Sequence, residues 1–371
     1  MSPARCPTAG RPAGLERSHV TSLDGKNLTT IEQAGRKRSQ ARYCVVVHPH
    51  RSSPETAHAL VHHRRQMTRI AIAGVGKIAR DQHIPHILKN PAFDYVAAVT
   101  RGSTDGDGVP AFNTIDDMMK SGLGVEAISI CTPPIGRFEL LQSSFANGLD
   151  VLLEKPPAAT ISEAELFGEM AAKAGRLLYL SWHLRQAPAV EPARAWLAGK
   201  TIRSVSVNWL EDVRVWHPGQ DWVWEPGIGV FDPGINALSA ITRILPWPLR
   251  VTSSDLKLPA NKDAPIAASL KLAGPTDAAL AVELNWDQRG TQTWQIDIAT
   301  DGGMLSLTQG ASKMTVDGVA VDVGIEEEYA SMYRHFADLL ASRESDIDLS
   351  PFRLVADAYL IGRRQAVEAF V

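Results

Sequence analysis

Residues 70–79 constrain this chain more than any other stretch. Ile70-Ala71-Ile72-Ala73 is an apolar run that passes directly into Gly74-Val75-Gly76-Lys77-Ile78-Ala79, and residues 79–89 then carry a helical pattern. A short, wholly apolar strand feeding a glycine turn and a helix is how a parallel α/β unit begins. In this G-x-G-x-x-A spacing the first glycine permits a tight turn. The second has no Cβ to keep the backbone away from a phosphate, and the final alanine lets helix and strand pack closely. The helix N-terminus beyond the loop offers free N–H groups and a partial positive charge to an anion. A merely structural turn of small residues is the plainer alternative. The strand before and the helix after favour dinucleotide binding, with Gly74, Gly76, Lys77 and Ile78 at the pyrophosphate.

The pattern downstream keeps this grammar. Extended apolar runs at 95–99, 127–131, 150–153 and 177–182 alternate with helical stretches at 115–120, 136–147 and 161–174. Asn147-Gly148 is a C-cap signal, Thr160-x-x-Glu163 is a capping box, and Gly175 ends its helix. Residues 67–185 therefore read as an NAD(P)-binding Rossmann domain. Past residue 200 the extended segments follow one another, at 203–211, 250–258, 266–272, 279–287, 292–299, 303–308 and 313–316. This predicts an open, mostly antiparallel sheet. A helix is expected at 233–245, and two amphipathic helices at the end of the chain, around 329–340 and over 351–370. The fold class is thus α/β, with an N-terminal Rossmann domain and a C-terminal α+β domain over 186–371. The terminal helices are expected to cover one face of the open sheet, and an uncovered face would allow pairing with a second copy.

The tip of the second strand bears on the choice of cofactor. An acidic residue there usually bonds the ribose hydroxyls of NAD. Here the strand ends Val99-Thr100-Arg101-Gly102, with no carboxylate. Arg101 would suit a 2′-phosphate, which a guanidinium clasps with paired hydrogen bonds, so NADP is expected and NAD is the alternative. A solvated loop arginine is the bland reading. Thr100, Thr132 and Pro133, at the ends of neighbouring strands, join the expected cofactor contacts.

Composition excludes several classes. A net charge of −3 over 371 residues gives no overall pull toward nucleic acid or an anionic membrane. No apolar run reaches the roughly 18–20 residues of a membrane span. Three scattered cysteines, Cys6, Cys44 and Cys131, suggest a reducing, cytoplasmic setting without a disulfide framework or structural zinc. Residues 1–66 differ from the rest, holding 11 Lys and Arg against 4 Asp and Glu, with 6 of the 11 histidines. No secretory apolar region is present. This stretch is expected to be a dispensable extension or to precede a true start at Met67.

Further along, Glu154-Lys155-Pro156 follows a buried strand at the sheet edge where Rossmann ligands bind. With the glycine loop, the turn Cys131-Thr132-Pro133-Pro134 and the open-sheet domain, it resembles the Gfo/Idh/MocA oxidoreductase family over residues 67–371. Trp182-His183, Glu211 through Gln220 and Gly229-Val230-Phe231-Asp232-Pro233-Gly234-Ile235-Asn236 narrow the resemblance to its D-galactose/L-arabinose 1-dehydrogenase branch. The resemblance implies oxidation of the anomeric C1 hydroxyl of a small aldose to the lactone with NAD(P)+. Many relatives carry His after the threonine-proline turn. Arg137 occupies that neighbourhood here and, with Glu154, is expected only near the cofactor.

Such chemistry needs a group to take the O1 proton. Lys155, stiffened by two following prolines, is one candidate, against the alternative of a loop lysine. Asp232 and Asn236, four apart, share a helix face. Asp232 before Pro233 is also a good N-cap signal in its own right. Relatives often have His at the second of these positions. Asn236 cannot take a proton at neutral pH, so the base role moves to Asp232, with Lys155, and Asn236 is left to bind a hydroxyl. His183, Glu211 and His217 are candidate sugar ligands, each with a structural alternative, and their spacing matches no metal motif. All nine tryptophans lie after residue 181. Trp216 is expected to face the sugar ring, with Trp286 second. Another sugar or cyclitol dehydrogenase, or a non-catalytic cofactor sensor on the same fold, are the alternatives.

Overall fold

A computed structural model describes residues 22–23, 26–27, 67–102 and 105–371. The expectation for residues 1–66 lies outside the described residues, apart from a short antiparallel pair, β1 (Ser22–Leu23) and β2 (Lys26–Asn27). Residues 63–371 cluster as one unit.

The Rossmann half has six parallel strands: β3 (Thr68–Ala73), β4 (Phe93–Val99), β5 (Ala111–Phe112), β6 (Ala127–Ile130), β7 (Asp150–Glu154) and β8 (Leu178–Ser181). Their order is β5-β4-β3-β6-β7-β8, so the chain reverses direction across the sheet between β3 and β6. Ligands of such sheets bind in the crevice beyond the strand ends at that reversal. The helices are α1 (Ile84–Lys89), α2 (Ile115–Lys120), α3 (Arg137–Ala146) and α4 (Ile161–Ala174). Thr160 caps α4 by accepting from Glu163 N at 3.2 Å, while Glu163 accepts from Ala159 N at 2.9 Å. The stretch before α1 is a π-turn over Ala79–His83, a wider winding than the periodicity predicted. Such turns concentrate at functional positions.

The second half supplies α5 (Val190–Leu197), α6 (Val213–Trp216), α7 (Phe231–Ile244), α8 (Glu328–Ser342) and α9 (Ser350–Ile361). Its strands are β9 (Ile202–Leu210), β10 (Arg250–Pro259), β11 (Ala267–Ala273), β12 (Ala279–Asn285), β13 (Thr293–Thr300), β14 (Gly303–Thr308), β15 (Lys313–Val316), β16 (Val319–Val321) and β17 (Arg363–Val367). They form one open sheet in the order β16-β15-β14-β13-β9-β12-β11-β10-β17. Only β9·β12 and β10·β17 pair parallel, so the sheet is mostly antiparallel.

Two expectations about the end of the chain are corrected. The helix expected over 351–370 stops at Ile361, and residues 363–367 become the edge strand β17 against β10. At Gly362 an added Cβ would lie 2.5 Å from the Ala358 carbonyl oxygen and 2.7 Å from Leu256, so the chain crosses there in close contact. Secondly, α8 covers the Rossmann sheet and not the open one. Met332, Tyr333 and Phe336 are fully buried against Ile70, Ile72, Phe93 and Tyr179. Each fully buried Met or Phe contributes about 1.5–3 kcal/mol. The amphipathic stripe shows that a face is buried, but not which surface it meets. Just past α8, Asp346 exchanges backbone hydrogen bonds with Leu178 and Leu180 at 3.1 and 2.9 Å, which ties this segment to the edge strand β8.

Candidate functional site

The carboxyl ends of β3, β6 and β7 face β9, β13 and α7 across a cleft of about 1450 Å³. The glycine loop forms one end of it. Gly74 has φ +89°, and a Cβ there would lie 2.8 Å from Thr132 Cγ2 and 2.9 Å from Thr132 N. At Gly76 a Cβ would meet nothing within 4 Å, because that side of the loop opens into the cleft. The two glycines therefore act differently: one lets strands approach, the other leaves room for a ligand. Thr132 Oγ1 is buried in the cleft wall without a hydrogen-bond partner. A buried polar atom without a partner calls for one. Loop, helix start and threonine together fit a nicotinamide dinucleotide, which Gly76, Lys77, Ile78 and Thr132 would hold. Thr100 continues β4 by donating its N–H to Phe112 O at 2.9 Å, and Arg101 beside it is exposed at the strand tip.

Arg137 is only 1 % exposed. Its guanidinium donates to the carbonyls of Thr132 (3.1 Å) and Pro156 (2.6 Å), and also to Glu154 O. Burial lowers its pKa to about 10. It lines the cleft, and four of its five N–H donors go to backbone carbonyls, so that it clamps the 132–134 turn to the 154–156 turn.

Glu154 likewise supports the turn from beneath. Its Oε1 accepts from His83 Nε2 and from Tyr329 Oη, each at 3.1 Å, and its Oε2 accepts from Lys155 N at 2.7 Å. Burial opposes its ionisation, but the His83 hydrogen bond and charge outweigh it and bring the pKa down to about 2. His83 Nδ1 meets Tyr333 Oη at 2.7 Å, and Tyr333 Oη meets Ser129 Oγ at 3.0 Å. Burial alone would lower the His83 pKa; its surroundings raise it well above the ordinary value. A histidine buried inside an apolar face carries no sequence mark, so this layer was not anticipated. The π-turn points His83 inward, and α8 supplies both tyrosines.

Above that layer, Lys155 Nζ lies 3.1 Å from both the side-chain Oδ1 and the carbonyl oxygen of Asp232. The other carboxylate oxygen of Asp232 is 3.3 Å from His217 Nε2. Burial disfavours the charge on Asp232, yet Lys155 and His217 hold its pKa far below the usual carboxylate range. The N-cap expectation for Asp232 is corrected. The chain turns at Gly229 (φ +62°), Val230 occupies the cap, and Asp232 is already in the first turn of α7 with its two oxygens directed at Lys155 and His217. Asn236, one turn further on, also lines the cleft.

The remaining candidates divide. His183 Nδ1 meets Glu328 Oε2 at 2.7 Å, and its ring stacks on Tyr329 at 5.1 Å. Glu211 accepts from the indole N–H groups of Trp286 and Trp294, each at 2.9 Å, and burial raises its pKa. Trp286 is 0 % exposed and stands behind the cleft wall, which corrects its expected place at the sugar. Trp294, by contrast, lines the cleft and meets Trp216 edge-on at 5.9 Å. The two positions share a residue type but not an element: Trp286 directly follows β12, and Trp294 lies on β13. Trp216, 44 % exposed, lines the cleft as expected. Among the described residues no group of three or more His, Cys, Asp or Glu side chains could hold a metal ion. Nor is any described helix long and apolar enough to cross a membrane.

Residues 68–181 match the Gfo/Idh/MocA oxidoreductase family, described as having an NAD-binding Rossmann fold. Galactose 1-dehydrogenase from Pseudomonas fluorescens is 45% identical over 305 residues, which are 82% of this chain and 99% of that protein. The crystal structure of D-galactose-1-dehydrogenase from Rhizobium etli superposes with a TM-score of 0.79 at 46% identity, covering 82% of this chain and 98% of that one. A 3-ketoreductase from Actinomadura kijaniata in complex with NADP shares the fold at 17% identity, with a TM-score of 0.69 and coverage of 81% and 100%. Identity that high, sustained across both halves of the molecule, goes beyond shared architecture, and the chain belongs to the Gfo/Idh/MocA oxidoreductase family.

Proposed function

We propose that this protein oxidises the anomeric C1 hydroxyl of D-galactose, L-arabinose or both to the lactone, with NADP+ as the preferred acceptor. The observation that carries this reading is the 3.1 Å contact between Lys155 Nζ and Asp232, made across the two domains on a cleft that also carries the glycine loop. A non-catalytic cofactor sensor has no need of that pair. The relatives named galactose 1-dehydrogenase support the choice of sugar.

The bound nicotinamide would supply the acceptor for the C1 hydrogen and its electron pair. The chain's own task is the O1 proton. Lys155, only 14% exposed, presents its amine to the cleft and accepts that proton when neutral. Asp232 reads better as the group that orients Lys155 than as the base itself, because a carboxylate held so far below its usual pKa takes up protons poorly at neutral pH. Trp216 and Trp294 offer an apolar wall for the pyranose face, and Asn236 and His183 offer hydrogen bonds to hydroxyls. D-galactose and L-arabinose share ring hydroxyl geometry, so both are expected to fit. Arg101 supports the NADP preference through its reach to a 2′-phosphate. Residues along β11 and β12 alternate between buried and more exposed, which leaves one face of the open sheet available to a second copy.

A panel of aldoses with NAD+ and with NADP+, followed at the reduced-nicotinamide absorbance, tests the reading. Turnover of D-galactose or L-arabinose, faster with NADP+, is expected. Turnover of no aldose would overturn it in favour of a silent binder.

A further inference from the structure

The 213–224 segment brings Trp216, His217 and Trp222 to the cleft. At its start Val213 N donates to Trp286 O at 3.0 Å, and near its end Gly229 N donates to Val223 O at 2.9 Å. Between these points the backbone bonds are local: Trp216 N to Asp212 O, His217 N to Val213 O and Gln220 N to His217 O. Bonds of that kind shape the segment without fixing where it sits, so its placement falls to side chains. We propose that Phe370 and Val371 are positioning residues for the sugar site, holding this segment, and with it Trp216 and His217, against the cleft from behind. The proposal rests on the sugar dehydrogenase reading above.

The edge strand β17 delivers the two residues. It runs parallel to β10, and Ala260 N donates to Val367 O at 3.1 Å where the pairing ends. Asn261 then grips the Phe370 backbone twice, accepting from its N–H at 2.8 Å and donating to its carbonyl at 2.9 Å. This clamp fixes the direction in which the Phe370 side chain leaves the tail. The ring packs on Trp224 with centroids 4.8 Å apart, and the Arg214 guanidinium lies over it at 4.1 Å. Arg214 also donates through Nε and Nη2 to the Val371 main-chain oxygen, at 3.0 and 2.8 Å. A planar guanidinium that stacks on a ring and forks onto one oxygen is fixed in both tilt and direction. Its Nη1 meets Asp212 at 3.0 Å and Asp287 at 2.8 Å, so one side chain joins the segment to the tail and to the end of β12.

From Trp224 the packing continues inward. Trp224 meets Trp286 at 5.7 Å, and Trp286 meets the His217 ring at 5.3 Å. Aromatic pairs favour offset or edge-on geometries, so each ring limits how the next can turn. Lys262 adds a cation over Trp224 at 5.1 Å. A cavity of about 320 Å³ remains between tail and segment, lined by Phe370, Arg214, Trp224, Lys262 and His217. With that space open, a small number of side-chain contacts carries the segment, and removing one of them should be felt.

Two substitutions in the full-length protein test this. Phe370→Ala removes the ring, and Asn261→Ala releases the tail from a residue outside the segment. Amide hydrogen exchange over residues 213–224 should quicken about 10-fold or more in each variant, while residues 74–90 at the glycine loop keep their rates. In the aldose assay sugar KM should rise about 5-fold or more, with dinucleotide Kd unchanged. Phe370→Tyr, which keeps the ring, should restore both readings. Unchanged exchange over 213–224 would overturn the proposal, whatever the enzyme's substrate. Faster exchange spread evenly over the molecule, or an unmoved sugar KM, would also overturn it and leave the tail a structural edge only. If Phe370→Ala does not fold, Asn261→Ala supplies the same two readings. If the unmodified enzyme turns over no aldose, the functional reading fails, and exchange over 213–224 still judges the hold of the tail on the segment.

Discussion

Replacing Lys155 with Met separates what holds the site together from what reacts in it. The ammonium lies 3.1 Å from Asp232 Oδ1, which at an effective dielectric constant near 20 is a gross attraction of about 5 kcal/mol. Desolvation of two groups only 14% and 5% exposed offsets much of that gain. Removing one partner of a buried pair costs about 3–5 kcal/mol, because the other charge is left uncompensated. Here His217 remains at 3.3 Å from the second oxygen, so the lower end, about 3 kcal/mol, is expected for Lys155→Met. Asp232→Asn should also destabilise. The double variant, which leaves no carboxylate stranded, should cost less than the sum of the two by about 1–3 kcal/mol. Urea unfolding with an unchanged slope measures this coupling. In the aldose assay Lys155→Met should lower kcat by about 10²–10⁴-fold. Additivity within about 0.5 kcal/mol would refute the coupling, and near-normal turnover would remove Lys155 from the chemistry.

The two loop glycines should separate by assay. Gly74→Ala would place a Cβ 2.8 Å from Thr132 Cγ2 at φ +89° and should lower the unfolding midpoint, the left-handed backbone alone costing about 1–2 kcal/mol. Gly76→Ala meets nothing within 4 Å, so thermal unfolding should be unchanged while dinucleotide Kd rises. Arg101→Ala should weaken NADP+ far more than NAD+ in parallel titrations; equal effects would dismiss its phosphate role. Trp294→Ala should raise sugar KM with little change in cofactor KM, as expected of a pocket wall. Glu154 and Asp232 have folded pKa values below their unfolded ones, so the stability they confer is full above the ordinary carboxylate range and lost as pH falls. For Glu154 that window runs from about 4.5 down to about 2. Urea midpoints between pH 5 and pH 2 should therefore drop less steeply in Glu154→Gln than in the unmodified protein.

Much of the site was legible because its residues sit beside local signals. The glycine loop, Lys155 after a buried strand, and Asp232 with Asn236 at helical spacing each carry a short-range pattern. Trp286 and Trp294 do not. Trp286 directly follows β12 and Trp294 lies on β13, both among alternating residues, and whether an indole faces the cleft or the core depends on how each strand is registered in the sheet. Glu211 looked like a free acceptor, but both its oxygens meet those two indoles. His83, Tyr329 and Tyr333 read as parts of amphipathic helices, and nothing nearby in sequence marks them as the support for Glu154.

Periodicity, turn residues and caps act over a few residues, so the alternation of strand and helix, the dinucleotide loop and the start of an open sheet could be read from sequence alone. Contacts made across long separations could not. Residue 83 meets 154 and 333, residue 155 meets 232, and residue 217 meets 232, and each contact depends on how whole elements stack. The C-terminal end shows the same division. The stripe of α8 announced a buried face, and only tertiary packing set that face against the Rossmann sheet. There its two tyrosines reach the charged layer beneath Lys155, because a hydrophobic surface is non-directional and its partner is chosen by shape.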